Sequence, residues 1–216
     1  MIVYFLRKTS DEAMKLLCVS DIVVPELNDQ FEPQRLGPVD LVISCGDLPP
    51  EYLSFLRHAL NAPLYYVRGN HDIRYESKPP EGCFNLHGRV VRHGPLKLLG
   101  LEGSRWYNGG PVQYSEEQMR LMVWRLRPRI WWRGGLNVIV THAPPRFIHD
   151  AEDRCHRGFR VFNKLIQWYA PGHFLHGHIH TQFADESERI TRVGRTQVVN
   201  CYGYCILEID EERISR

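Results

Sequence analysis

The chain has 216 residues, 43% hydrophobic and 24% charged, with a formal net charge of +2. That composition excludes a disordered, collagen-like or coiled-coil chain, and the near-balanced charge gives no strong field for gathering nucleic acid or a membrane surface. A folded domain of this length buries roughly 70% of the surface its unfolded chain exposes, so its core needs no disulfide or metal staple, and residues 1–216 read as a single domain.

Met1 to Leu6 is an apolar start too short for the hydrophobic segment of a secretion signal. No apolar run approaches the ~18 to 20 residues that cross a bilayer, which predicts a cytoplasmic protein with no membrane partner. Short runs rich in branched residues then follow, each cut off by polar or glycine turn residues, and they predict buried strands. They are Leu16 to Ser20, Leu41 to Cys45, Leu64 to Arg68, Asn137 to Thr141 and, more weakly, Phe174 to Leu175. Helical patterns lie between them at Pro50 to Leu60, Ser115 to Leu126 and Gly158 to Tyr169. Ser115 with Gln118 three residues on predicts a capping box. Near the end, Thr196 to Asn200 and Tyr204 to Ile209 read as two strands joined at Tyr202 and Gly203. Continuous rather than alternating apolar runs mean strands covered on both faces, so the expected fold is α/β, a sandwich of mixed sheets with helices outside.

Six cysteines are scattered along the chain, mostly inside apolar runs where a thiol packs as a small hydrophobe, and they read as reduced. Cys201 and Cys205 are close, yet no second pair lies near them in sequence, so a structural zinc site is not expected.

Each of the five runs ends in potential metal ligands: Asp21, then Gly46-Asp47, then Gly69-Asn70-His71-Asp72, then His142, then Gly177-His178-Ile179-His180. In α/β folds, groups at the carboxyl ends of strands converge on one crevice. A mixture of carboxylate, imidazole and amide oxygen suits manganese, iron or zinc rather than calcium or magnesium. Two such ions ~3.5 to 4 Å apart can share a carboxylate and serve in-line displacement at phosphorus.

In order and spacing these motifs resemble the calcineurin-like metallophosphoesterases, whose pattern is Asp-x-His, Gly-Asp, Gly-Asn-His-(Asp/Glu), His and Gly-His-x-His. The resemblance runs from Asp21 to His180. It implies that Asp47 bridges two divalent transition-metal ions, manganese first and iron or zinc as alternatives. Asp21 and His180 would complete the first site; Asn70, His142 and His178 would hold the second. It also implies that a metal-activated hydroxide attacks phosphorus while His71, beside the scissile phosphate, assists the leaving group. Asp72 either orients the His71 ring or is a solvated turn carboxylate. The expected activity is that of a phosphoric ester hydrolase, a phosphodiesterase rather than a monoesterase, on a small or nucleotide-like phosphoester.

The chain departs from that pattern once: where the family has the histidine of Asp-x-His, it reads Asp21-Ile22-Val23. The first site is then left with three ligands unless Glu26 or Asp29 fills in, which predicts weaker affinity there. Alternation along a strand would place a residue at position 23 on the same side as Asp21. The missing histidine also supports a rival reading, a binding scaffold on the same fold.

Two loops carry candidate substrate contacts. His156 lies in the polar segment leading into the helix before the last metal motif, where it would either meet a phosphate or leaving group or be an ordinary helix-entry residue. Arg105, with Trp106, sits in a glycine-rich loop and would either read a substrate or cover a sheet edge. Arg120 to Trp132 mixes arginine with tryptophan, as a nuclease would require. Its Met119, Met122, Val123 and Leu126 recur at helical spacing, however, so it reads as an amphipathic helix with a solvated arginine face.

Overall fold

Leu16 and Cys18 leave the first strand on one side, Leu17 and Val19 on the other, and all four are sealed from solvent. A strand buried on both faces needs a layer on each side of its sheet, and that requirement organises the molecule. In the computed structural model, residues 13–210 are described; the apolar Met1 to Leu6 stretch lies outside them. The first sheet contains β1 (Met14–Ser20), β2 (Leu41–Ser44), β3 (Leu64–Tyr66) and β4 (Phe84–Asn85). The second contains β5 (Arg89–His93), β6 (Leu96–Leu101), β9 (Val138–Thr141), β10 (His173–His176), β11 (Ile190–Val193) and β12 (Thr196–Asn200). A short ribbon, β7 (Ser104–Arg105) with β8 (Gln113–Tyr114), stands apart, and β13 (Gly203–Ile209) returns to the first sheet.

The orders are β13-β1-β2-β3-β4 and β11-β12-β10-β9-β6-β5. In the first sheet β1 to β4 are parallel and β13 antiparallel; in the second, β6, β9, β10 and β12 are parallel between antiparallel edges. Between the sheets Leu16, Leu41 and Ile43 pack against Leu98, Val138, Val140 and Leu175. On the outer face of the first sheet, α2 (Pro50–Ala59) buries Tyr52, Leu53 and Leu56 over Leu17, Val42 and Leu64. On the outer face of the second, α3 (Glu116–Trp132) and α4 (Arg160–Tyr169) cover Leu99, Ile139 and Phe174. A single turn, α1 (Pro33–Leu36), precedes β2. The result is the expected α/β sandwich with helices outside. Each fully buried leucine in it contributes ~1.5 to 3 kcal/mol.

Several elements differ from the sequence reading. The capping box forms as expected, with Ser115 Oγ accepting from the Gln118 N–H and Gln118 Oε1 accepting from the Ser115 N–H. The helix nevertheless passes Leu126 and runs through Pro128 to Trp132. Proline removes one backbone donor there, and burial of Ile130 carries the helix across the gap. Met119, Val123 and Leu126 are buried while Trp124, Trp131 and Trp132 are exposed, so the core-face reading of this helix holds. Arg127 lies over the rings of Trp124 and Trp168, at 5.0 and 4.8 Å. The strands Thr196–Asn200 and Gly203–Ile209 follow each other but do not pair: β12 joins β10 and β11, whereas β13 joins β1. The hairpin β5–β6 has no clear sequence signal because Arg89–His93 is a half-exposed edge strand carrying charge at both ends. Among the described residues no helix is long and apolar enough to cross a membrane.

Candidate metal centre

The loops after β1, β2, β3, β9 and β10 meet because two glycines let backbone approach side chains at contact distance. A Cβ on Gly69 would sit 2.0 Å from Asp47 Oδ1 and 2.7 Å from His142 Cε1; one on Gly177 would sit 1.9 Å from Ser20 Oγ and 2.6 Å from Asp21 Oδ2. Asp21, Asp47 and His178 adopt left-handed φ angles of 69°, 57° and 67°. Such angles cost about 1 to 3 kcal/mol each outside glycine and persist only where the surroundings over-determine them. Hydrogen bonds do so here. The Asp21 N–H donates to the Gly46 carbonyl at 3.0 Å, and the His178 N–H to the Asp21 carboxylate at 3.1 and 3.0 Å. The His71 N–H donates to Asp47 Oδ1 at 2.8 Å. Asp72 Oδ2 accepts the N–H groups of Asp47 at 2.7 Å and Gly69 at 2.8 Å.

The donor atoms are aimed by partners behind them. His142 Nδ1 lies 2.8 Å from the Cys45 carbonyl, which can only accept, so Nδ1 carries the proton. Nε2 is thereby turned to Asn70 Oδ1 at 3.2 Å and Asp47 Oδ2 at 3.3 Å. The Asn70 amide donates its NH2 to the Tyr107 hydroxyl at 3.3 Å, which leaves its oxygen facing inward. His178 Nε2 donates to the Cys155 carbonyl at 2.8 Å, leaving Nδ1 with the lone pair in the neutral ring. Ligand atoms of Asp47, His142 and His178 lie within 4.8 Å of one another.

This cluster calls for positive charge. Burial alone would push the His142 imidazole down, yet the Asp47 carboxylate overrides it and lifts the ring to about 9. Burial alone would push Asp47 up, but His142 and the His71 N–H hold it at about 2. Burial, reinforced by His142, drives His178 down to about 3, which keeps it neutral and able to bind metal. Burial and the neighbouring Asp47 charge raise Asp72 to about 7. Two imidazoles, a carboxylate and an amide oxygen aimed at one buried point form a donor set that fits a divalent transition-metal ion.

Asp21 and His180 pair beside this cluster, with His180 Nε2 3.4 Å from Asp21 Oδ1. A hydrogen bond to Asp21 raises the His180 imidazole above its ordinary range, and its ring stacks on Tyr202 with centroids 5.0 Å apart. β1 ends at Ser20 and Asp21 is left-handed, so strand alternation does not extend to Val23, which is exposed. Asp29 accepts from Asn28 Nδ2 at 2.9 Å, and Glu26 is exposed.

The residues read as substrate or proton-transfer groups fall in different places. His71 is exposed, beside a cleft of about 190 Å³ that Asp47, Pro50 and Tyr75 also line. His156 lies against the metal cluster, its ring centroid 5.2 Å from that of His178 and its Nδ1 3.0 Å from Asp153 Oδ2. Arg105 instead pairs with Glu116 at 3.6 Å, and Glu116 also caps α4 by accepting the N–H groups of Arg160 and Val161. Sequence reasoning missed Tyr107, Tyr202 and the Cys155 carbonyl. The first two are aromatic residues on loops, a weak signal, and a carbonyl carries none.

The profile of the calcineurin-like phosphoesterases matches residues 14–182, and the chain belongs to that family, whose chemistry is metal-dependent phosphoester hydrolysis. No curated protein sequence matches it. Among solved structures it is similar to TT1561 of Thermus thermophilus, at 18% identity and a TM-score of 0.61, covering 94% of this chain and 96% of that one. It is also similar to GAP50, the anchor in the inner membrane complex of Plasmodium, at 10% identity and a TM-score of 0.56, covering 92% and 82%. The calcineurin-like phosphoesterase YfkN from Bacillus subtilis aligns at 11% identity and a TM-score of 0.50, covering 94% and 92%.

Proposed function

We infer that the chain is a phosphodiesterase acting on a small or nucleotide-like phosphoester, with manganese as its metal. The observation that carries this reading is the convergence of Asn70 Oδ1 and Asp47 Oδ2 on His142 Nε2, at 3.2 and 3.3 Å, with His178 alongside. In it Asp47, Asn70, His142 and His178 would hold one ion, and Asp21, Asp47 and His180 would hold a second. When bound, such ions supply Lewis acidity toward phosphoryl oxygens and lower the pKa of water.

The chain's own residues do the rest. The Cys45 and Cys155 carbonyls hold one nitrogen of His142 and of His178, so the other nitrogen of each ring is aimed at the ion; His178 is already neutral, and His142 would give up its Nε2 proton as an ion binds. Asp72 holds the Gly46-Asp47 and Gly69-Asn70 loops together through two backbone N–H groups, acting as a positioning residue. The exposed His71 ring stands over the cleft and gives its proton to the departing oxygen as the P–O bond breaks. His156, held through Nδ1 by Asp153, contacts the substrate phosphate from the rim. Arg105, tied to Glu116, supports the loop that carries Tyr107. The six free cysteines favour the cytoplasm as its compartment.

Chelator-stripped protein resupplied with Mn²⁺ should hydrolyse bis(p-nitrophenyl) phosphate, and do so faster than the monoester p-nitrophenyl phosphate. Faster monoester turnover would reverse the substrate assignment. Metal binding with no turnover of either ester would favour the scaffold, which Val23 in place of a histidine already supports.

A further inference from the structure

One buried thiol is an ordinary small hydrophobe. Here four of the six cysteines reach the same sandwich interior from four separate places in the chain. Cys18 in β1 stands directly opposite Cys205 in the antiparallel β13. Cys201 follows the last residue of β12, its N–H donating to the His176 carbonyl at 2.7 Å. The sulfurs of Cys18, Cys201 and Cys205 all lie within 4.8 Å of one another. Cys45, one residue past β2, is buried in the same cluster. All four are free and buried, and the shell around them is aliphatic, with Leu16, Ile43, Leu175 and Val199 in the same cluster.

Zinc binds thiolates at ~2.3 Å in a tetrahedron, which puts neighbouring sulfurs about 3.8 Å apart. The sulfurs of Cys18, Cys201 and Cys205, gathered within 4.8 Å, supply three corners of such a site, and the buried Cys45 of the same cluster is the thiol that would close the fourth as the ion binds. We propose that Cys18, Cys45, Cys201 and Cys205 hold a structural zinc ion in the sandwich interior, separate from the phosphoester centre. Each S–H gives its proton to solvent as its S–Zn bond forms, and no electrons move. A sealed core admits an ion only as it closes, so loading accompanies folding. The ion ties β12 and β13 to the strands that carry the catalytic loops. Cys18 lies three residues before Asp21, and Cys45 supplies the carbonyl that orients His142. This proposal does not depend on the phosphodiesterase reading.

The test separates thiolate-bound metal from metal at the nitrogen and oxygen centre. Full-length protein produced in zinc-supplemented cells, once a chelator has stripped the exposed nitrogen and oxygen centre, should still release an equivalent of zinc when denatured with an organomercurial that captures thiols. Refolding with Co²⁺ alone should give a thiolate-to-cobalt charge-transfer band in the near ultraviolet, which the phosphoester centre has no sulfur to produce. Cys201→Ser should lose the band and Cys83→Ser should keep it. Should Cys201→Ser fail to fold, the wild-type measurements decide alone. Wild-type protein that releases no zinc to the mercurial and shows no charge-transfer band would overturn the proposal, as would a Cys18–Cys205 disulfide found by mass spectrometry.

Discussion

Gly69→Ala is the sharpest perturbation of the metal centre, because it adds one methyl group and removes no ligand. The new Cβ would lie 2.0 Å from Asp47 Oδ1, 2.4 Å from Asp47 Cγ and 2.7 Å from His142 Cε1. Ordinary carbon contacts begin near 3.4 Å, so the carboxylate and the ring must retreat by about an ångström, against a tolerance of about 0.2 Å for metal–ligand distances. Gly69 does not occupy the left-handed region, so alanine meets no backbone penalty and even stabilises by ~0.4 to 1 kcal/mol through the unfolded chain. Overpacking opposes this with ~1 to 3 kcal/mol. The net loss of stability is therefore about 0 to 2.6 kcal/mol, while a misplacement near 1 Å costs ~10²-fold in catalysis. Urea denaturation, Mn²⁺ titration by calorimetry and diester kinetics on one preparation would separate these effects. Metal affinity and turnover within about twofold of wild type would refute the claim that close approach at Gly69 sets the site.

His71→Ala should reduce turnover by ~10² to 10⁴ with metal content retained, since a leaving-group acid acts on the transition state; parallel metal loss would make His71 a ligand. Val23→His, which restores the family's Asp-x-His pattern, should lower the Mn²⁺ concentration for half-maximal activity, and an unchanged Mn²⁺ dependence would mean that position 23 faces away from the site. Ser115→Ala removes the α3 capping box and should lower stability by ~1 kcal/mol, a shift of about 2 to 4 °C in a calorimetric Tm with activity unchanged. Trp131→Ala, at a side chain 81% exposed, should leave small-diester hydrolysis intact and stability within ~0.5 kcal/mol.

The residues that converge on the candidate metal centre were legible because their signals are local. A buried strand writes itself as a continuous apolar run, and a loop that must bring backbone against a carboxylate has to spell glycine, as at Gly69 and Gly177. The capping box of α3 was legible for the same reason, both partners lying within one turn. The end of that helix was not, since Pro128 is a stop signal in isolation and only the burial of Ile130 overrides it.

What the tertiary structure alone decided are the relations between distant segments. Arg105 and His156 sit in similar polar loops, yet one is drawn to Glu116 and the other laid against His178, a choice made by the packing of α3, α4 and the β10 loop. Asp72 follows His71 in sequence, but its Oδ2 accepts from backbone N–H groups on two different loops. The cysteines show the contrast most fully. By spacing, Cys201 and Cys205 are a pair with no second pair, because nothing in the chain near them announces that β12 and β13 part into different sheets. That parting carries Cys205 opposite Cys18 and Cys201 into the same buried cluster as Cys45. Sequence patterns record what each segment buries; which segments share the burial is settled only when the two sheets close on each other.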